Sequence, residues 1–104
     1  VNVGAAVIDA AAHYRADLFF MGVTGVHPQA GLSTGDGEEA DVKRALSARA
    51  AETVVLASSE KLLAASAFVI APVNTLAALV VPRGTAAATV RGFKKLGVSV
   101  ITAA

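Results

Sequence analysis

Two short segments carry residue types suited to holding an anion. The first is Gly22-Val23-Thr24-Gly25 and the second is Ser58-Ser59-Glu60-Lys61. Glycines let backbone N–H groups approach an anion closely. Hydroxyls add donors, and a lysine adds a point charge suited to phosphate. Each segment follows an apolar run, and open α/β sheets bind ligands beyond the carboxyl ends of their strands. The same residues also fit plainer roles. The first segment fits an ordinary strand-to-loop turn. The second fits a solvated helix start with a serine cap, and Lys61 fits a surface lysine.

Other groups offer less chemistry. Ser58-x-x-Lys61 matches the Ser-x-x-Lys pattern of penicillin-recognising serine enzymes. Its S-D-N and K-T-G companions are absent, and the chain is too short for that fold. His13 and His27 are far apart and no cysteine accompanies them, which argues against a metal site. His13 reads as a helix-face residue and His27 as a loop residue. Glu38 and Glu39 form a carboxylate pair, but complementing a helix dipole in its first turn explains them as well. Lys94 and Lys95 read as a solvated helix end. Gly22-x-x-Gly25 is not a dinucleotide fingerprint, and no phosphate-binding Walker motif is present. No organic cofactor is implied.

The elements that must position these residues are short and alternate in type. Val3 to Arg15 has helical apolar spacing. Asp17 opens Leu18-Phe19-Phe20-Met21-Gly22-Val23, a continuous apolar run of the kind found in strands covered on both faces. Val26 to Gly37 reads as a loop. Glu38 to about Ala51 reads as a helix capped by Asp36 or Gly37, with Glu38, Glu39 and Asp41 early and Lys43, Arg44 and Arg49 later. Ala40, Val42, Leu46 and Ala50 are its candidate buried stripe. Thr53 to Ala57 is a second strand. Pro72 blocks a long helix after Leu62, so a short helical turn and an extended piece near Ala67 to Ala71 are expected. Ala78 to Val81 is a third strand, closed by Pro82-Arg83-Gly84. Thr85 to Leu96 is a helix with Gly97 as its cap, and Val98 to Thr102 is a fourth strand. This alternation predicts an α/β fold, a parallel-sheet sandwich with helices on both faces.

Bulk properties narrow the function classes. At 104 residues the chain is one domain or part of one. Hydrophobic residues make up 55% of it, mostly alanine and valine, which suits helices packed closely on a sheet. The net charge is +1 without a basic run, so no phosphate-backbone footprint for DNA is present. The absence of tryptophan argues against a base-stacking platform. Zero cysteines exclude a disulfide framework and fit a cytoplasmic origin. Val1 without a preceding methionine or basic region reads as a boundary within a longer protein, not a signal peptide. The most apolar region, Leu62 to Pro82, is broken by Pro72, Asn74 and Thr75, so no membrane span is expected.

Taken in order, the pieces resemble the C-terminal effector domain of DeoR-family transcriptional repressors. They are Ala16 to Val26 (ADLFFMGVTGV), Gly31-Leu32-Ser33-Thr34, Glu38 to Ala45 (EEADVKRA), Val55 to Lys61 (VLASSEK) and Leu96 to Ile101 (LGVSVI). The resemblance implies a truncated domain related to ribose-5-phosphate isomerase, with residues 1–104 its C-terminal part. It implies a phosphorylated-sugar effector, an oligomer, and DNA contact only through a winged helix-turn-helix absent from this chain. It also implies a site made from Gly22, Thr24, Gly25, Glu39, Ser58, Ser59 and Lys61. Related isomerases place acidic residues in the first loop, where this chain has none. A proton shuttle needs a base within reach of the sugar carbon, so binding without turnover is expected. Two positions depart from the family pattern. Ala57 stands where an Asp is usual, and Val81-Pro82-Arg83 replaces a strand ending in Thr-Asp. Those carboxylates would have bound sugar hydroxyls or structured the loops. Two alternatives remain: an isomerase-related enzyme fragment and a purely structural dimerisation domain.

Overall fold

The structure, a computed structural model, describes residues 3–103. Helix α1 is Val3–Ala11, and strand β1 is Ala16–Met21. Strands β2 (Gly25–His27) and β3 (Gly31–Thr34) follow, then helix α2 (Gly37–Arg49) and strand β4 (Ala50–Leu56). After a 3-10 turn at Ser59–Lys61 come strand β5 (Phe68–Ala71) and a 3-10 turn at Val73–Thr75. Strand β6 (Ala78–Val81), helix α3 (Ala87–Lys95) and strand β7 (Val100–Thr102) complete the order.

The main sheet has the order β1-β4-β6-β7 and is parallel throughout. The alternating strands and helices therefore form the expected α/β architecture. Its helix boundaries follow local chemistry. Asp36 caps α2, its side chain accepting from the Glu38 N–H at 3.1 Å. That satisfies one of the backbone donors a helix start leaves free. Gly97 adopts φ +85° and turns the chain after α3, a conformation that costs a glycine little.

Several expectations are corrected. The predicted first helix stops at Ala11 instead of Arg15, because residues 12–15 form the turn into β1. Helix α2 ends at Arg49 because Ala50 is already paired with Ala16 in the sheet. Of the stripe expected on α2, only Ala40 is fully buried. The predicted loop from Val26 to Gly37 contains a hairpin, β2 with β3, which pairs antiparallel with β5 to form a second sheet. Gly31, at φ +81°, sits where a Cβ would lie 2.7 Å from the Ala71 carbonyl oxygen, so the β3–β5 approach needs a glycine there. Helix α2 is tied to this sheet by Arg44, which donates to the carbonyls of Ile70 (2.9 Å) and Val69 (2.8 Å) and to Asp41 (3.0 Å).

One continuous core joins both sheets. Met21, Val55, Leu79 and Val81 from one face of the main sheet meet Val26, Leu32 and Ile70 from the second sheet, Ala40 from α2 and Phe93 from α3. Side chains alternate across a strand, so the neighbours of these residues point the other way. There Leu18 is 46%, Phe20 62%, Leu56 56% and Ile101 50% exposed. Register places Phe20 beside Val54, and Leu56 beside Val80 and Ile101, so they share one surface. The expectation that β1 is covered on both faces is thus corrected among the described residues.

Denaturation at a dilution that keeps the chain monomeric separates the two faces. Leu79→Ala should cost about 2–5 kcal/mol through the cavity it leaves. Phe20→Ser should there cost less than about 1 kcal/mol, as surface strand substitutions do. Equal losses from the two variants in the monomer would mean that the outer face is covered within the chain itself.

Candidate functional site

Parallel pairing decides where the two polar segments fall. Met21 lies beside Val55 and Val55 beside Leu79, so β1, β4 and β6 all end at the same edge of the sheet. Gly22 to Gly25 and Ser58 to Lys61 therefore emerge together. The chains beyond them stay joined: Val26 and Leu62 form a parallel bridge, and the Leu63 N–H donates to the Val26 carbonyl at 2.7 Å. Leu63 takes φ +66°, the left-handed region. That conformation costs a leucine roughly 1–2 kcal/mol, so the turn after Lys61 is held by its surroundings.

Between the carboxyl ends of β4 and β6 lies an open groove of about 390 Å³. Leu56, Ala57, Ser58 and Lys61 form one wall, with Val80, Val81, Pro82 and Ala103 opposite. Its volume falls in the range of small-molecule sites, and Ser58 and Lys61 are its polar side chains. Arg83 follows directly in an exposed turn, closed where the Thr85 N–H and hydroxyl both donate to the Pro82 carbonyl, at 3.2 and 2.7 Å. Ser58 donates its hydroxyl to Glu60 Oε1 at 2.6 Å. That bond, with lesser help from the Glu60 backbone and the Lys61 charge, holds the Glu60 carboxyl below its ordinary range. Ser59 is exposed in the same turn and does not line the groove.

The first segment divides. Gly22 is exposed, and a Cβ there would meet nothing within 4 Å. Thr24 and Gly25 are engaged in structure. The Thr24 N–H donates to the Ser33 carbonyl at 3.0 Å, and its hydroxyl lies 2.7 Å from Ser66 Oγ. The Ser66 N–H in turn donates to the buried Ser33 hydroxyl at 2.8 Å. Gly25 is buried, and a Cβ on it would sit 2.5 Å from the Ala64 carbonyl oxygen and 2.7 Å from Ser33 Oγ. These contacts clasp the end of β1 to β3 and to residues 64–66. Ser33 and Ser66 escaped the sequence reading, since hydroxyls separated by 33 positions show no local pattern.

Glu39 is not among the residues that line this groove. Its Oε1 accepts from Lys43 Nζ at 2.6 Å, one turn along α2. The Lys43 ammonium, with a smaller contribution from the Thr34 hydroxyl, keeps its carboxyl below the ordinary range. Its polar partners are thus on α2 and β3. Glu38 accepts from the Gly4 N–H at 2.9 Å and links the two first helices. His27 Nδ1 accepts from the N–H groups of Gln29 and Ala30, both at 3.1 Å, and so serves the β2–β3 turn. Among the described residues, no group of three or more His, Asp or Glu could hold a metal.

A larger hollow of about 480 Å³ lies at the opposite end of the sheet, between the amino ends of β4 and β6. Most of its polar side chains are committed. Arg44 holds the β5 carbonyls, and Ser47 bonds Thr53 at 2.8 Å. Its position is also contrary to the rule for open α/β sheets. The smaller groove is the better candidate.

A parallel sheet with its polar groove at the carboxyl ends of the strands defines an α/β ligand-binding domain of the Rossmann-like type. The family model of the DeoR C terminal sensor domain matches residues 1–83, and the chain belongs to that family of transcription-regulator domains. The match takes in both polar segments and Glu39, while the Leu96 to Ile101 part of the resemblance lies beyond it. No curated protein matches the chain. No helix among the described residues is long and apolar enough to cross a membrane.

The two glycines should respond differently to a methyl group. Gly25→Ala must displace the Ala64 carbonyl or the Ser33 hydroxyl and should cost roughly 2–3 kcal/mol. Gly22→Ala should change stability by no more than about 0.5 kcal/mol. Urea unfolding of both variants decides the matter, and a stable Gly25→Ala protein would show that the clasp is loose.

Proposed function

We propose that this domain binds a phosphorylated sugar and self-associates, as the effector-sensing part of a cytoplasmic DeoR-type transcription regulator. In that arrangement operator DNA is read by a winged helix-turn-helix head and not by residues 1–104. The observation that carries the reading is the groove at the ends of β4 and β6, where Ser58 and Lys61 face a sheet edge within the part matched by the sensor family. Lys61 supplies a charge for the phosphate. Gly22 lies at the end of the neighbouring strand and leaves room for a ligand's approach. Thr24, Gly25 and Ser59 support the loops around it. Glu39, tied to Lys43, contributes through the helix that backs the second sheet.

Binding without turnover fits the carboxylates present. Isomerisation needs a base beside the sugar carbon. Glu39 is engaged by Lys43 and Glu60 by the Ser58 hydroxyl, and both carboxyls are held below the ordinary range, which makes them weaker bases. Self-association draws support from the outer face of the main sheet, where Leu18, Phe20, Leu56 and Ile101 are exposed together. A parallel sheet is ordinarily covered on both faces.

Thermal unfolding with a panel of sugar phosphates tests the effector. A ligand at about a hundred times its Kd stabilises the folded state by about 2.7 kcal/mol, which raises Tm by roughly 10 °C in a domain of this size. Lys61→Ala should abolish the rise. If no sugar phosphate at millimolar concentration moves the wild-type Tm, the effector reading fails. Light scattering tests the association. The wild-type chain should exceed the monomer mass, and Phe20→Ser with Leu56→Ser should return it to monomer. A wild-type monomer at high concentration would refute self-association.

A further inference from the structure

The groove's two polar side chains are not equivalent. A serine hydroxyl has one hydrogen to give. Ser58 gives it to Glu60 Oε1 at 2.6 Å. What Ser58 then offers a ligand is lone pairs, and the ionised Glu60 beside it also offers lone pairs only. Phosphate oxygens at neutral pH are mainly acceptors, so neither group can serve them. Sugar hydroxyls are donors and suit both. Lys61 is the converse, with three donors and no acceptor. The loop that carries them is pinned at both ends. The Lys61 N–H donates to the Ser58 carbonyl at 3.0 Å, and the Leu63 N–H donates to Val26. Ser58 and Lys61 therefore reach one groove from fixed positions.

We propose that the groove is polarised, with Ser58, whose hydrogen is taken by Glu60 from just outside the groove lining, holding the hydroxyl-bearing end of the ligand and Lys61 its anionic end, so that Glu60 acts through Ser58 as a specificity-determining residue favouring a phosphorylated polyol over inorganic phosphate. The proposal rests on the sugar-phosphate reading of the same groove. Its added content is the role of Glu60, a residue outside the set expected from sequence. Glu60 disfavours a bare phosphate in two ways. It removes the Ser58 donor, and its own negative charge repels an anion placed against Ser58. A sugar phosphate avoids both penalties by presenting its hydroxyls there and its phosphate toward Lys61, with the exposed Arg83 following β6. Glu60 is ionised at neutral pH, as an exposed carboxylate ordinarily is, and the Ser58 hydroxyl favours that form further.

Calorimetric titration of the 104-residue chain with ribose 5-phosphate, glucose 6-phosphate and inorganic phosphate, in wild type, Glu60→Ala, Glu60→Gln and Ser58→Ala, tests this. The wild type should prefer at least one sugar phosphate over inorganic phosphate. Glu60→Ala frees the Ser58 donor and removes the repelling charge, so inorganic phosphate should bind more tightly and the preference should fall about tenfold. Ser58→Ala should lower the preference without tightening phosphate. Glu60→Gln keeps an acceptor oxygen but loses the charge, and its preference should lie between wild type and Glu60→Ala. Glu60 is exposed, so its variants should melt as the wild type does. If wild type binds a sugar phosphate and the preference is unchanged in Glu60→Ala and Ser58→Ala, the polarity is wrong and the sugar-phosphate reading survives. If wild type binds none of the three probes, both are overturned.

Discussion

Strand β1 lies against β4 in parallel register, Ala16 beside Ala50 and Met21 beside Val55, and most other features follow from that pairing. Parallel strands end at the same edge of a sheet. The polar residues after each strand are therefore delivered to one place, although 36 positions separate Gly22 from Ser58. Pairing of β4 with β6 adds Val80, Val81 and Pro82 as the far wall of the groove. The same register turns Met21, Val55 and Leu79 inward as one layer of the core. Shifting β1 by one residue would exchange its faces and bury Phe20 in place of Met21.

The second sheet does a different job. Strands of three or four residues are too short to stand alone. They persist because Val26, Leu32 and Ile70 are buried against the main sheet and because polar contacts fix their edges. Arg44 satisfies two β5 carbonyls, and the Thr24–Ser33–Ser66 hydroxyl network ties β3 to the end of β1. The network also shapes the segment that follows Lys61, since Ser66 and Ala64 lie on it. Candidate site and scaffold are thus continuous. Thr24 and Gly25 carry the spacing of a ligand loop but serve to hold that loop in place.

A chain of this size buries a limited core, and here the core lies on one side of the parallel sheet. The outer side keeps large exposed apolar residues on β1, β4 and β7, which is wasteful for a surface that meets only water. Self-association would cover that face without disturbing the groove, because the groove lies at the strand ends and the apolar residues lie on the sheet surface. On the proposed function, sensing and assembly would use separate parts of the same strands.

Much of this was legible in the residues alone. Apolar runs of strand length, Asp36 before an acidic first turn and Gly97 after Lys94-Lys95 report local free energies, and local free energies do not depend on the rest of the fold. So the four parallel strands, the three helices, the cap at Asp36 and the polar strand ends could be read directly. The order of pieces also pointed to the sensor family that matches residues 1–83. The hairpin hidden between Val26 and Gly37 could not be read, because its short strands gain their stability from residues 68–71. Nor could the clasp through Ser33 and Ser66, or the exposure of Phe20. Whether Phe20 is buried depends on what packs against its face, and whether Ser58 donates or accepts depends on where Glu60 places its carboxylate. Sequence determined which groups are available and where strands and helices begin. Tertiary structure decided which of those groups meet, because hydrogen bonds and burial between distant residues are set by register and packing that no local window contains.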